Sequence, residues 1–320
     1  MDRDTAGILA VLAVALVIAL PLLVSGPGND LDVGNVFRSG RAIARHLDYV
    51  PSRPPGAPVH EAVVGFGDLL GGPLLTNLLS LAAAGLLLWQ LDRLLRDEGV
   101  APSGRWVVAL VAVNPWFLIA STSTADYVFA LLFLVLAARA LRHDHALLAG
   151  VAGAAAMGCR VGSITLLVAL AVAEAAVGRG HRRRVLVAGG TAAALTLLVF
   201  IPSFVEAGGL TFAQNDFSAS SPLVQLGRTV AKDLLVLGIP TTLLVLAALP
   251  ALVWALRRWS TSWLVRFGTI GLVLSQLLFL RFPWKMAHLL PTLLCVAILL
   301  AVALEDRRRW LIAMVALQLV

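Results

Sequence analysis

Long apolar runs alternate along this chain with short clusters of Arg, Gly, Pro and Asp. A helix rising 1.5 Å per residue needs about 20 apolar residues to cross the hydrocarbon of a bilayer. Segments of that kind fall near 6–25, 73–91, 105–121, 125–141, 145–158, 161–178, 185–203, 237–256, 263–280 and 287–304. An eleventh begins near residue 310 and reaches Val320, where the sequence stops within it. The pattern predicts an all-α polytopic membrane protein, a bundle of about 10–11 transmembrane helices forming a single domain over 1–320. Two longer segments interrupt the bundle, 26–72 and 204–236, and both read as external loops.

The first loop has internal order. Val33, Val36, Phe37, Ile43, Ala44 and Leu47 recur at helical spacing, with Gly40 on the same stripe and Arg38, Arg41 and Arg45 elsewhere. That predicts a short amphipathic helix lying in the headgroup plane. The run Tyr49-Val50-Pro51-Ser52-Arg53-Pro54-Pro55-Gly56-Ala57-Pro58 forbids regular helix and predicts a stiff, extended turn. Val59 to Gly71 reads as a second short helix feeding the next span. The second loop, with Gly208-Gly209, Gln214-Asn215-Asp216 and Ser218 to Pro222, reads as a polar, turn-rich connection or cavity cap. Gly150 with Ala154, and Ala152 with Ala156, give small-residue faces for helix packing.

Composition agrees with a membrane class. Hydrophobic residues make up 59% and charged residues 13%, against roughly 25% charged in a soluble domain. With the N-terminus inside, most of the 25 Lys and Arg residues fall on the cytoplasmic side, as the positive-inside rule requires. The net charge of +7 therefore implies no nucleic acid, and His181-Arg182-Arg183-Arg184 reads as an inside anchor. The leader Met1-Asp2-Arg3-Asp4 lacks the positive charge of a cleaved signal, so the first span reads as an anchor. Cys159 and Cys295 fall at or within spans and imply neither a disulfide framework nor a Cys-based metal site.

The external basic residues cluster near 38–53 and 281–285, beside several acids. Asp30 and Asp32 lie just past the first span, at a spacing that lets an extended backbone aim both carboxylates at one point. They are candidate catalytic residues, or the ligands of a divalent cation, the one cofactor the sequence admits. The competing reading of Asp32 is a helix cap. Arg281, Lys285 and His288, in Arg281-Phe282-Pro283-Trp284-Lys285-Met286-Ala287-His288, suit the phosphate of a lipid headgroup, or else an interfacial anchor. Arg53 belongs to the same basic set. Asp126 opens a span, where capping explains a carboxylate and a cavity acid is the rival. Arg160 sits between two spans, where an ionisable group is functional or snorkels. Glu61 points to the cavity of Asp32 or to water; His60-Glu61 is no zinc-protease motif, because Val64 stands where the second His belongs.

Taken together, these features resemble the membrane glycosyltransferases of the GT-C fold, in the branch of protein O-mannosyltransferases and lipid A aminoarabinose transferases. The likeness lies in the acids after the first span, the amphipathic helix, the Pro-rich turn, Asn114-Pro115-Trp116, the Ser/Thr-rich turn to Asp126, Gly158-Cys159-Arg160, and Arg281 to Pro291. It covers most of the chain, through degenerate motifs in a shared order. The resemblance implies sugar transfer from a polyprenyl-phosphate donor to an envelope acceptor on the extracytoplasmic face of the plasma membrane. It also implies an acid of the first loop as general base, here Asp32 or Asp30, with Arg281, Lys285 and His288 on the leaving phosphate. The chain departs from the adjacent Asp-Glu of many relatives by carrying Asp30-Leu31-Asp32. A transporter of lipid-linked sugars and a non-catalytic envelope scaffold are the rival readings.

Overall fold

The computed structural model describes residues 3–28, 31–206, 209 and 221–319. Asp30 lies outside the described residues, as does most of the segment between Glu206 and Ser221. Among the described residues the regular elements are all helical. They are α1 (Arg3–Leu23), α2 (Leu31–His46), α3 (Pro58–Asp97), α4 (Ala101–Ala112), α5 (Pro115–Ser121), α6 (Tyr127–Arg142), α7 (Ala146–Cys159) and α8 (Ile164–Ala175). Then follow α9 (Arg179–Glu206), α10 (Pro222–Val236), α11 (Ile239–Ala247), α12 (Leu249–Ala255), α13 (Trp263–Arg281), α14 (Leu290–Ala303) and α15 (Arg308–Gln318).

Among the described residues five helices are long and apolar enough to cross a membrane, or up to seven spans if each of two bent pairs, α4 with α5 and α10 with α11, counts as one. α7 and α8 are apolar but shorter. The chain is a multi-pass membrane protein. Position within the bundle follows from burial. Two thirds of the apolar window at α14 is buried (67%), against 11% for α9, so α14 is central and α9 turns most of its surface to lipid. α3, α4, α6, α8 and α13 supply the rest of the core around α14. Ala154 and Ala156 are buried where α7 packs on α6 and α9, as the small-residue faces require.

The breaks have identifiable causes. α4 ends at Val113, and Asn114 caps α5, its side chain accepting from the backbone N–H groups of Trp116 (3.1 Å) and Phe117 (3.2 Å). The bend is 66°. The same side chain donates to the carbonyl of Val236 (2.7 Å), at the 92° bend between α10 and α11, where Gly238 takes φ 72°. Gln318 donates to the next freed carbonyl, Leu237 (2.6 Å). In lipid an orphaned carbonyl is costly, so broken helices persist where side chains take over the lost bonds. Residues 222–236, expected within a turn-rich loop, are therefore helical. Ser221 at the cap, accepting from Val224 N–H, and Pro222 in the first turn nucleate α10.

The first external segment is a helix laid on a helix. Val33, Val36 and Phe37 of α2 bury against Val64 of α3. Each such burial contributes about 1.5–3 kcal/mol. The expected stripe runs out at its C-terminal end: Leu47 is 89% exposed and terminates α2 in the left-handed region, φ 54°. The crossing is tight because Gly40 meets Gly65. A Cβ built on Gly65 would lie 2.0 Å from the Gly40 oxygen, and one on Gly40 would lie 2.7 Å from the Gly65 nitrogen. α3 itself breaks at Gly71-Gly72, where Gly72 has φ 66°, which separates the expected short helix from the span that follows. Arg41 Nε donates to Asp68 Oδ2 at 2.6 Å, but Arg41 is half exposed, so this pair adds at most about 1 kcal/mol.

Gly65→Ala should thus lift α2 from α3 without unfolding the bundle. Amide exchange across 31–46 is expected to accelerate at least tenfold, with exchange in α13 and α14 unchanged. Equal protection of 31–46 in both proteins would show that the glycine crossing does not set the position of α2.

Candidate functional site

Five charged side chains from separate elements meet in an alternating line. Asp32 comes from the first turn of α2, Arg53 from the Pro-rich turn, and Asp126 from the turn before α6. Arg160 comes from the α7–α8 junction, and Lys285 from the extended stretch after α13. Lys285 Nζ donates to Asp32 Oδ2 at 2.7 Å, and Arg53 Nη1 reaches the same oxygen at 3.4 Å. The other terminal nitrogen of Arg53 makes a short charge-assisted bond to Asp126 Oδ2. Arg160 Nη1 donates to both oxygens of Asp126, at 3.1 and 3.2 Å. A cation stands at each end of the line. Asp32, Arg53, Asp126, His60 and Tyr127 are among the residues lining one small cleft.

Exposure divides the line into two halves. The side chains of Asp32 and Lys285 are each about one-third exposed (33% and 32%), whereas Asp126 is 4% exposed. Burial on its own drives the Asp126 carboxyl upward. Arg53 and Arg160 outweigh that and hold it well below the usual carboxylate range, while the Asp126 charge pushes the Arg53 guanidinium up. Asp126 is thus the buried counter-ion of two arginines. The capping expected for it is absent: no bond runs from its side chain to the start of α6. The cavity reading of Asp126 is the one the geometry supports.

Local packing fixes each member. Thr124 hangs the turn before α6 from its neighbours: its N–H donates to the carbonyl of Pro27 (2.9 Å), and its hydroxyl meets Thr76 (2.7 Å) and Asn77 (3.2 Å). Asn77 in turn donates to the carbonyls of Leu23 (3.1 Å) and Gly26 (2.9 Å), tying this turn to the end of α1. Arg160 lies over the ring of Tyr127, 4.0 Å from its centroid, which orients the guanidinium toward Asp126. Lys232 of α10 donates to the carbonyls of Pro283 (2.7 Å) and Trp284, clamping the backbone that presents Lys285.

Three of the expected substrate-binding residues, Glu61, Arg281 and His288, are not among those lining the cleft. Glu61 is turned neither to water nor into the cleft. It is fully buried, accepting from the Tyr49 hydroxyl (2.7 Å) and the Ser52 N–H (3.0 Å), and so braces the Pro-rich turn. Burial, then the Glu61 charge, pushes the Tyr49 phenol well above its ordinary range and keeps it a donor. Arg281 is exposed at the end of α13 with its guanidinium over Phe282, 5.4 Å from the ring centroid, and does not line the cleft. His288 packs beside Tyr127 of the cleft lining, its ring 6.0 Å from that of Tyr127 and its Nδ1 3.2 Å from the Phe282 carbonyl oxygen. Of the cations expected on a phosphate, Lys285 is the one brought to the acid, and Arg53 joins it. The divalent cation admitted by the sequence finds no cluster of three His, Cys, Asp or Glu side chains among the described residues. Asp32 is already held between two side-chain cations, and Asp30, the other candidate ligand, lies outside the described residues. Cys159 and Cys295 are buried and unpaired with each other.

The halves of the line differ in energetic weight. Breaking a buried pair costs about 3–5 kcal/mol, because its partners are left charged and unmatched, whereas exposed pairs contribute about 0–1 kcal/mol. Asp126→Asn should lower the melting temperature of the purified protein far more than Asp32→Asn. Equal melting temperatures for the two variants would contradict the division into a structural and an exchangeable half.

The comparisons with known proteins concern the fold. The chain matches no protein-family model, and no curated protein matches it. A similar solved structure is that of ArnT from Cupriavidus metallidurans in the apo state, an aminoarabinose transferase. The two superpose with a TM-score of 0.66 at 18% identity, over 96% of this chain and 60% of ArnT. The chain therefore spans about 60% of the length of that protein. At this identity the likeness concerns architecture: the bundle has the GT-C membrane fold.

Proposed function

We propose that this protein is an integral membrane glycosyltransferase. It moves a sugar from a polyprenyl-phosphate donor to an envelope acceptor, on the extracytoplasmic face of the plasma membrane with the N-terminus in the cytoplasm. The observation that carries this reading is the 2.7 Å pair of Asp32 with Lys285, 253 residues apart, at the accessible end of a charged cleft in a GT-C fold. A carboxylate beside two cations is a place where a phosphate can exchange with the carboxylate. The donor phosphate takes Lys285 and Arg53, as a point charge and a fork respectively. Asp32 then accepts a hydrogen bond from the acceptor hydroxyl.

Transfer follows from that exchange. The acceptor oxygen bonds to the anomeric carbon as its proton passes to Asp32. The bond from that carbon to the phosphate oxygen breaks, and polyprenyl phosphate leaves, with inversion at the sugar. Lys285 and Arg53 stabilise the charge that develops on the leaving phosphate. The buried Asp126, held by Arg53 and Arg160, is a poor proton acceptor near neutral pH and serves as scaffold. A second proton acceptor would have to come from Asp30.

Purified protein in lipid nanodiscs is expected to consume polyprenyl-phosphate pentoses or hexoses and to release polyprenyl phosphate, detected by mass spectrometry. Asp32→Asn should reduce turnover by about 100-fold or more. Lys285→Met should raise the donor KM more than it lowers kcat. Undiminished turnover by the double variant Asp30→Asn/Asp32→Asn would remove the catalytic role. Movement of intact donor between leaflets without cleavage would establish transport instead.

A further inference from the structure

His60 is left out of the network that surrounds it. It stands in the first turn of α3, is 1% exposed and lines the same cleft as Asp32, Arg53 and Asp126. Among the described residues neither ring nitrogen has a hydrogen-bond partner. The nearby acids are already satisfied: Asp126 by Arg53 and Arg160, Glu61 by Tyr49 and Ser52. A buried polar group without a partner costs about 1–3 kcal/mol. A histidine kept there only to fill space against Phe129, 5.3 Å away between ring centroids, is better replaced by an aromatic hydrocarbon.

The chemistry of the ring narrows what it meets. An uncharged imidazole offers one N–H donor and one bare nitrogen acceptor, on opposite edges. Sugar hydroxyls donate and accept at once and are spaced around a ring. A phosphate only accepts, and the accessible cations Lys285 and Arg53 already suit it. We propose that His60 recognises a hydroxyl of the sugar carried by the lipid donor, and so contributes to the choice of sugar. This rests on the donor-site reading above. It deepens that reading by assigning the headgroup contacts to two separate places, phosphate to Lys285 and Arg53, sugar to His60.

The separation is directly testable by binding. Short-chain polyprenyl phosphate and its pentose and hexose conjugates are titrated against nanodisc-embedded protein. His60→Phe, which keeps the packing on Phe129, is expected to bind the sugarless lipid within twofold of wild type. It should bind the preferred sugar conjugate about tenfold or more weakly, as expected when a site built to hydrogen-bond a hydroxyl loses its partner. His60→Gln should recover part of the loss. If His60→Phe does not purify as a folded protein, the smaller, apolar His60→Leu carries the same comparison. Unchanged binding of both ligands would reduce His60 to packing, and equal weakening of both would make it scaffold; either overturns the proposal. Wild-type protein that binds neither lipid would overturn the donor site itself. Lys285→Met separates the cases, since it should weaken both ligands whatever His60 does.

Discussion

A carboxylate buried at a membrane boundary must be matched by positive charge or lose its own, and Asp126 is matched twice. Its partners Arg53 and Arg160 come from a Pro-rich turn and from the junction of two short helices. Pairing in a poorly screened setting fixes their positions far more firmly than an exposed pair would. That leaves the second terminal nitrogen of Arg53 facing outward, where it shares Asp32 with Lys285. One rigid buried pair thus sets the geometry of one exchangeable pair.

Backbone geometry places the same segments. The glycine crossing of α2 on α3 brings Asp32 over the bundle, and the kink at Gly71-Gly72 turns that platform into a span. Asn114 holds two broken helices, accepting from the freed N–H groups at the start of α5 and donating to the freed Val236 carbonyl at the end of α10. Lys232 of α10 holds the strand that carries Lys285. The irregular backbone is therefore concentrated where charged side chains must converge, and the regular helices α13 and α14 supply the core beneath.

Much of this was legible in the sequence because it rests on local rules. Apolar run lengths located the long apolar helices, the 3.6-residue stripe located α2, and clustered prolines located the turn that carries Arg53. The resemblance pointed to the GT-C architecture before any coordinates. What escaped depended on long-range pairing. Nothing local shows that Asp126 answers two arginines rather than capping α6, or that Glu61 is spoken for by Tyr49 and Ser52. Arg281 and Lys285 are four residues apart in an irregular stretch, and only the fold decides that Lys285 reaches the acid. His60 carried a usable signal, since it shares a helical face with Val64, which packs under α2. α10 carried one too, in Ser221-Pro222.

The account makes the cleft a site where a lipid phosphate replaces a carboxylate. The most direct measurement is a cryo-electron microscopy structure of the protein in nanodiscs with a non-cleavable polyprenyl-phosphate sugar. The predicted result places the phosphate between Lys285 and Arg53, with Asp32 released from both and Asp126 still held by Arg160. A phosphate seated elsewhere, with Asp32 and Lys285 still paired, would contradict it.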